Sequence, residues 1–203
     1  MYAIIYNVAS SPRERMVRSA ALLIRERGAH ATAISDVLAH SGAPRGSAYH
    51  YFPGGRIQLL EEATDYAGAY IADKISAAEN SAELLDSLVA EYREQLLRTD
   101  FRAGCPIVAV TVEAGDPDDP ERTTKVIERA AAAFGRWTEL IAERLTAEGL
   151  TASRAEELAM LVTTSLEGAI VVARATRDVK PLDLVHRQLR PLLRRRDGRK
   201  DSR

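Results

Sequence analysis

Residues 32–56 read Thr-Ala-Ile-Ser-Asp-Val-Leu-Ala-His-Ser-Gly-Ala-Pro-Arg-Gly-Ser-Ala-Tyr-His-Tyr-Phe-Pro-Gly-Gly-Arg. Ile34, Val37 and Leu38 recur at helical spacing, which predicts a short amphipathic helix running into a turn at Gly42. Pro44 opens a second short helix, because the missing N–H of proline costs nothing in a first turn, and Tyr49-His50-Tyr51-Phe52 closes it. Two short helices joined by a glycine-containing turn form a helix-turn-helix, whose second helix enters the DNA major groove. This stretch points to a chain that reads DNA and away from an enzyme.

Upstream, Ser11-Pro12-Arg13-Glu14 is a capping box with proline at the first helical position. Met16, Val17, Ala20, Leu23 and Ile24 then follow the helical period, and Gly28 ends the run. Thr32 is the expected N-cap of the next helix. A three-helix bundle over residues 11–55 follows, with Val17, Leu23, Ile24, Ile34, Val37, Leu38, Tyr49 and Phe52 as its core.

Charge divides the chain. Residues 1–60 hold seven arginines against three acids, whereas residues 61–120 hold four basic and fourteen acidic side chains. A basic first quarter on an acidic body suits a DNA-facing module joined to one that faces something else. Apolar residues make up 46% of the 203-residue chain, ample for a core, and the single cysteine, Cys105, excludes an intramolecular disulfide framework. Residues 1–10 are apolar but lack a basic leader region and are too short to span a bilayer, so they read as an N-terminal extension. The run Leu158–Ala175 is nearly apolar but carries Glu167 and Arg174, and reads as a buried or interface helix. No membrane partner and a cytoplasmic location are expected.

The body reads as helices throughout. One spans about 56–80, with Leu59, Leu60, Ala63, Tyr66, Ala67, Tyr70, Ile71 and Ile75 apolar; the next starts at Ser81. The β-branched run 101–113 has strand propensity, but a lone strand has nothing to pair with, so a short helix opening at Pro106 is expected. Residues 115–120 are a loop, 121–148 a long helix, and Ser153-Arg-Ala-Glu156 a capping box for the apolar helix. A last helix covers 182–194, before a polar basic tail over 196–203. The fold class is all-α: the three-helix DNA-binding bundle plus a larger helical effector-binding and dimerisation domain over 56–195, about nine helices in total.

Gly28, Thr32, Asp36-Val37, Gly42-Ala43, Gly46 and Tyr49-His50-Tyr51-Phe52 stand at the spacings of one family's amino-terminal signature. In these residues the chain resembles the TetR family of bacterial transcriptional repressors. Tyr-His-Tyr-Phe-Pro-Gly-Gly-Arg, Gly-Cys-Pro-Ile-Val and Ser165-Leu-Glu-Gly-Ala-Ile resemble the branch of lincomycin-resistance repressors and flavonoid-responsive regulators. The family's Phe-Pro-x-Lys, whose lysine meets a phosphate, is here interrupted by an extra glycine and ends in Arg56. Arginine clasps phosphate in bidentate fashion, so the same role at a different reach is expected.

Arg45, Gly46 and Ser47 fall in the first turn of the recognition helix. Arg45 has the donor fork for guanine O6 and N7, or it meets a phosphate. Gly46 allows close approach to the DNA backbone, or relieves crowding against the preceding helix. Ser47 meets phosphate or base, or is simply solvated. The resemblance implies that Tyr49 both packs and reaches a phosphate; His50 and Tyr51 are expected phosphate contacts, and Thr32 a cap that also touches one.

The resemblance further implies an effector cavity in the body. Candidate lining residues are Tyr66, Tyr70, Tyr92, Cys105, Val108, Val112, Phe134, Trp137, Ile141 and Leu166, with Glu113 or Glu167 as polar anchors; each is otherwise plain core. Together they suit a hydrophobic or aromatic small molecule. Gly168, Ala169, Val172, Val185, Leu189 and Leu193 are candidates for a homodimer seam. No cofactor and no metal are expected: the four histidines and Cys105 lack metal-ligand spacing, and Asp116, Asp118 and Asp119 lack the rest of a calcium loop. The expected function is a repressor that binds a palindromic double-stranded operator as a homodimer and is released by an effector. An effector-independent structural DNA-binding protein and an enzyme using the cavity stand as alternatives; the latter lacks a visible acid–base or nucleophile pair.

Overall fold

The structure, a computed structural model, describes residues 11–113 and 120–193, with 120–123 described through their backbone. The N-terminal extension, Asp116, Asp118 and Asp119 with most of their loop, and the basic tail lie outside the described residues. Nine helices and no strand are present among the described residues: α1 Pro12–Arg27, α2 Ile34–Ser41, α3 Ala48–Tyr51, α4 Gly55–Ala77, α5 Ser81–Arg98, α6 Pro106–Val112, α7 Pro120–Ala147, α8 Ala152–Thr176 and α9 Lys180–Leu189. The all-α expectation holds, and residues 106–112 are helical despite their β-branched composition.

Local chemistry explains most of the boundaries. At α1 the Ser11 hydroxyl accepts from the Glu14 N–H while the Glu14 carboxylate accepts from the Ser11 N–H, so two otherwise orphaned donors are satisfied. Asn80 caps α5 by accepting from the Glu83 N–H. Two expected caps are corrected. Thr151, not Ser153, caps α8, accepting from the Arg154 N–H. Thr32 does not cap α2: that position is Ala33, and the Thr32 hydroxyl instead donates to the Gly28 carbonyl at 2.7 Å, buried at 1% exposure. The hydroxyl satisfies the loop before the helix, which leaves the Asp36 carboxylate to accept from the Ala33 N–H.

Two compact units partition the chain. One comprises residues 1–70 and 105–133, the other 71–104 and 134–203. In the first, α1 packs on α2 and on α6. Its core holds Met16, Val17, Leu23, Ile24, Val37, Phe52, Leu59 and Leu60, with the Arg13 guanidinium 5.3 Å from the centroid of the Phe52 ring. Tyr49, expected in that core, is instead 72% exposed: α3 is a single turn, and Ala48 and Phe52, four apart, take its inward face. Gly68 lets α4 approach α7, where an added Cβ would lie 2.8 Å from that of Ala133.

In the second unit α8 packs on α9, and α5 on both. Leu84, Leu85, Leu88, Leu96, Leu145, Leu158, Val162, Ile170, Leu182 and Leu189 are buried there. α8 has the length and composition to cross a membrane, with a mean hydropathy of 1.5 over its most apolar eighteen residues. Its apolar residues divide between the unit's core and an exposed stripe.

Candidate nucleic-acid interface and effector cavity

The helix-turn-helix is built from α2, a turn and the short α3. Gly42 ends α2 in the left-handed region (φ 65°), where a side chain would strain the backbone. The next segment is not yet helix. Pro44 accepts at its carbonyl from both the N–H (3.0 Å) and the hydroxyl (2.6 Å) of Ser47, forming a tight turn over 44–47, and α3 starts only at Ala48. The expected helix start at Pro44 is thus corrected by one turn. Arg45 and Gly46 sit on the turn and are exposed, and a Cβ at Gly46 would meet nothing within 4 Å.

The expected DNA contacts separate into two sets. Arg45, Gly46, Tyr49 and His50 are exposed, and Ser47 and Tyr51 half-buried; His50 and Tyr51 meet edge to face at 5.2 Å. These six lie within seven consecutive residues, so one short segment presents a guanidinium, an imidazole and two phenols. The other two expected contacts face inward. Thr32 is buried, as described. Arg56 donates through Nε to the Thr32 carbonyl (2.9 Å) and through Nη2 to the carbonyls of His30 (3.1 Å) and Ala29. Its fork is directed at the loop between α1 and α2. The extra glycine explains why: Gly55 adopts φ 67° and donates its N–H to the Phe52 carbonyl, a turn that swings Arg56 back toward α1.

For Gly46, the crowding explanation is removed. A Cβ there would meet nothing within 4 Å, and the residue lies outside a helix.

Of the candidate effector residues, Tyr92, Trp137, Ile141, Leu166 and Glu167 line one cavity in the second unit. Ile71, Ile75, Leu88, Val162 and Thr163 complete its wall and were missed. The signal for some of them was present: α4, α5 and α7 each supply a pair four residues apart (Ile71 and Ile75, Leu88 and Tyr92, Trp137 and Ile141), one turn facing one way. Phe134 stacks edge-on against Trp137, with centroids 5.3 Å apart, but does not line the space. The cavity volume is about 20 Å³, room for about one water. The apolar walls are therefore nearly in contact.

The other candidates belong to the first unit. Tyr66 lines an open groove with Arg13, Val17 and Glu62. Cys105 is buried at the N-terminus of α6 and forms no disulfide. Val108 is half-buried and Val112 73% exposed. Glu113 is no cavity anchor in this structure: its carboxylate accepts from the His30 N–H at 2.6 Å. Among the described residues no cluster of three metal-ligating side chains occurs.

Residues 17–63 match the family described as bacterial regulatory proteins, tetR family. Residues 81–188, more than half of the chain, match the LmrA/YxaF-like transcriptional regulator C-terminal domain. The chain belongs to the TetR family. It is 70% identical over 182 residues to the HTH-type transcriptional regulator Rv0196 of Mycobacterium tuberculosis (strain ATCC 25618 / H37Rv), covering 90% of this chain and 94% of that one. It is 29% identical to the HTH-type transcriptional regulator LmrA of Bacillus subtilis (strain 168), covering 90% and 97%. Among solved structures, a regulatory protein TetR from Rhodobacter sphaeroides shares the fold with a TM-score of 0.74 at 22% identity, over 90% of this chain and 98% of that one. So does a cysteine mutant of the TetR-family regulator CifR in complex with 26-bp operator DNA, with a TM-score of 0.69 at 21% identity over 93% and 100%. This TetR-family chain is a DNA-binding transcriptional regulator, with the LmrA/YxaF-like form of C-terminal domain that its sequence resembled.

Proposed function

We propose that the protein is a ligand-responsive repressor that binds a palindromic operator as a homodimer in the cytoplasm. The observation that carries the DNA side is the run Arg45–Tyr51, which exposes a guanidinium, an imidazole and a phenol on a turn followed by a short helix. Arg45, Gly46, Ser47, Tyr49, His50 and Tyr51 meet the DNA; Arg56 and Thr32 support the platform from behind. A two-fold dimer sets two such platforms roughly 34 Å apart, in successive major grooves.

The exposed stripe of α8 supports the dimer. Leu161, Thr164, Gly168 and Val171 recur every three or four residues and, with Val172 beside them, are exposed. On α9, which packs on α8, Val185 is half-buried and Leu184 exposed. Of the six residues expected at the seam, Gly168, Val172 and Val185 remain; Ala169, Leu189 and Leu193 are buried in the protomer's own core.

The effector side rests on the cavity around Trp137. Apolar walls with the single carboxylate of Glu167 suit a hydrophobic or aromatic molecule carrying a donor or positive group. Since the cavity holds only about 20 Å³, an effector enters by moving the helices that supply the wall apart, and the state so selected is the one that releases DNA.

Selection from a random duplex library, followed by binding measurements at fixed salt, tests the proposal. A palindromic site bound about 10³-fold or more tighter than random duplex is expected. Equal affinity for selected and random duplexes would sink it. Retention of the operator across a panel of hydrophobic ligands that leave Trp137 fluorescence unchanged would favour effector-independent DNA binding.

A further inference from the structure

One peptide group in the loop between α1 and α2 carries a charge at each end. The carbonyl of Ala29 accepts from Arg56, at the start of α4, and the N–H of His30, the other half of the same peptide, donates to Glu113 at the end of α6. Gly28 leaves the space that the carboxylate occupies: a Cβ there would collide with Glu113 Oε1. Arg56 also holds the carbonyls of His30 and Thr32, so three of the loop's carbonyls meet one helix, Ala29's shared with the Thr32 N–H, while the His30 N–H meets another.

From this geometry we infer that the Ala29–His30 peptide couples α6 to the DNA-reading head, with Glu113 and Arg56 as positioning residues for operator binding. Hydrogen bonds to ionised groups are roughly twice as strong as neutral ones. Here both lie along one peptide dipole, so each polarises the peptide in the sense that strengthens the other. Arg56 directly follows the Phe52–Gly55 turn that ends α3. Its grip on the loop therefore sets where α3 stands relative to α1 and α2. Withdrawal of Glu113 depolarises the peptide, slackens that grip, and lets Arg45 and Tyr49 leave their register. The inference rests on the operator-binding reading above.

The test uses the full chain, its selected operator and a random duplex of equal length. In Glu113→Ala the His30 amide resonance moves upfield, operator affinity falls about tenfold or more, and random-duplex affinity stays within about threefold. Glu113→Gln keeps a carbonyl acceptor and recovers most of the loss. If Glu113→Ala does not fold, Arg56→Lys serves: it keeps the charge but cannot span three carbonyls, and the same selective loss of operator affinity is expected. Two results would overturn the coupling: a His30 amide unmoved in Glu113→Ala, or an amide that moves while operator affinity stays within about twofold of wild type. A wild-type protein that does not distinguish operator from random duplex overturns the operator reading itself, and the coupling with it, before any variant is made.

Discussion

Arg190 clasps Asp86 with two prongs, Nε to Oδ1 and Nη2 to Oδ2, both at 2.8 Å. His186 Nε2 lies 2.6 Å from the same Oδ1, and Arg93 on α5 reaches back to Asp183 on α9. α9 is thus held to α5 by charge as well as by its buried Leu182 and Leu189. Parallel bidentate bonds fix orientation, which a single lysine contact would not.

The Arg190 fork, with His186 beside it, lowers the Asp86 pKa to about 2. A carboxylate whose folded-state pKa is depressed contributes stability that is present above its unfolded value, near pH 4, and is lost as pH falls toward 2. Asp86→Asn is therefore less stable than wild type at neutral pH. The gap closes between about pH 4 and pH 2, as thermal unfolding across that range would show. The Asp86 side chain is 38% exposed, so the difference also shrinks in 1 M salt.

Arg45 is exposed and lies on a turn that its side chain does not support. Arg45→Ala leaves the melting temperature unchanged and weakens specific DNA binding by about 1–3 kcal/mol if the guanidinium reads a base. If it meets a phosphate, affinity falls alike for all sequences, and the slope of log K against log salt drops by about 0.9. The two outcomes separate in one salt titration with two duplexes.

Gly46→Ala isolates the DNA-facing role of a residue with no neighbour inside the protein. No atom lies within 4 Å of the added methyl, so stability stays within about 0.5 kcal/mol of wild type. Loss of operator affinity with stability intact would show that the DNA backbone comes as close as this glycine permits. Unchanged affinity would remove Gly46 from the interface.

Gly168 offers the same separation for the dimer. It is exposed in the middle of α8, and a Cβ there meets nothing within 4 Å of its own protomer. Gly168→Glu places a charge in the proposed seam without touching the protomer's core. Sedimentation is expected to show a folded monomer with weakened operator binding. A dimer of wild-type stability would move the seam elsewhere.

The helices were legible wherever apolar residues kept a 3.6-residue period and a cap stood at the front, as at Ser11–Glu14. Residues 106–112 were legible by exclusion, since no strand partner existed. Burial was less legible at the short α3. Tyr49 and Phe52 are equally aromatic, and only the placement of a one-turn helix sends one to solvent and the other to the core. The Thr32 and Ser153 caps failed for a related reason. Hydroxyl residues cluster near helix starts, and a shift of one or two positions passes the cap from Ser153 to Thr151 at α8 and leaves it to Ala33, without a hydroxyl, at α2.

By itself the sequence determined the fold class, the family and the location of the reading head, because spacing and composition are properties of the chain alone. Tertiary structure decided what the charged side chains do. Arg56 reads in sequence as a phosphate ligand, and Glu113 as a cavity anchor; folding turns both onto the two ends of one peptide. A long side chain reaches several ångströms in any direction, so its partner is set by which backbone the fold brings near. That information resides in no local pattern of residues.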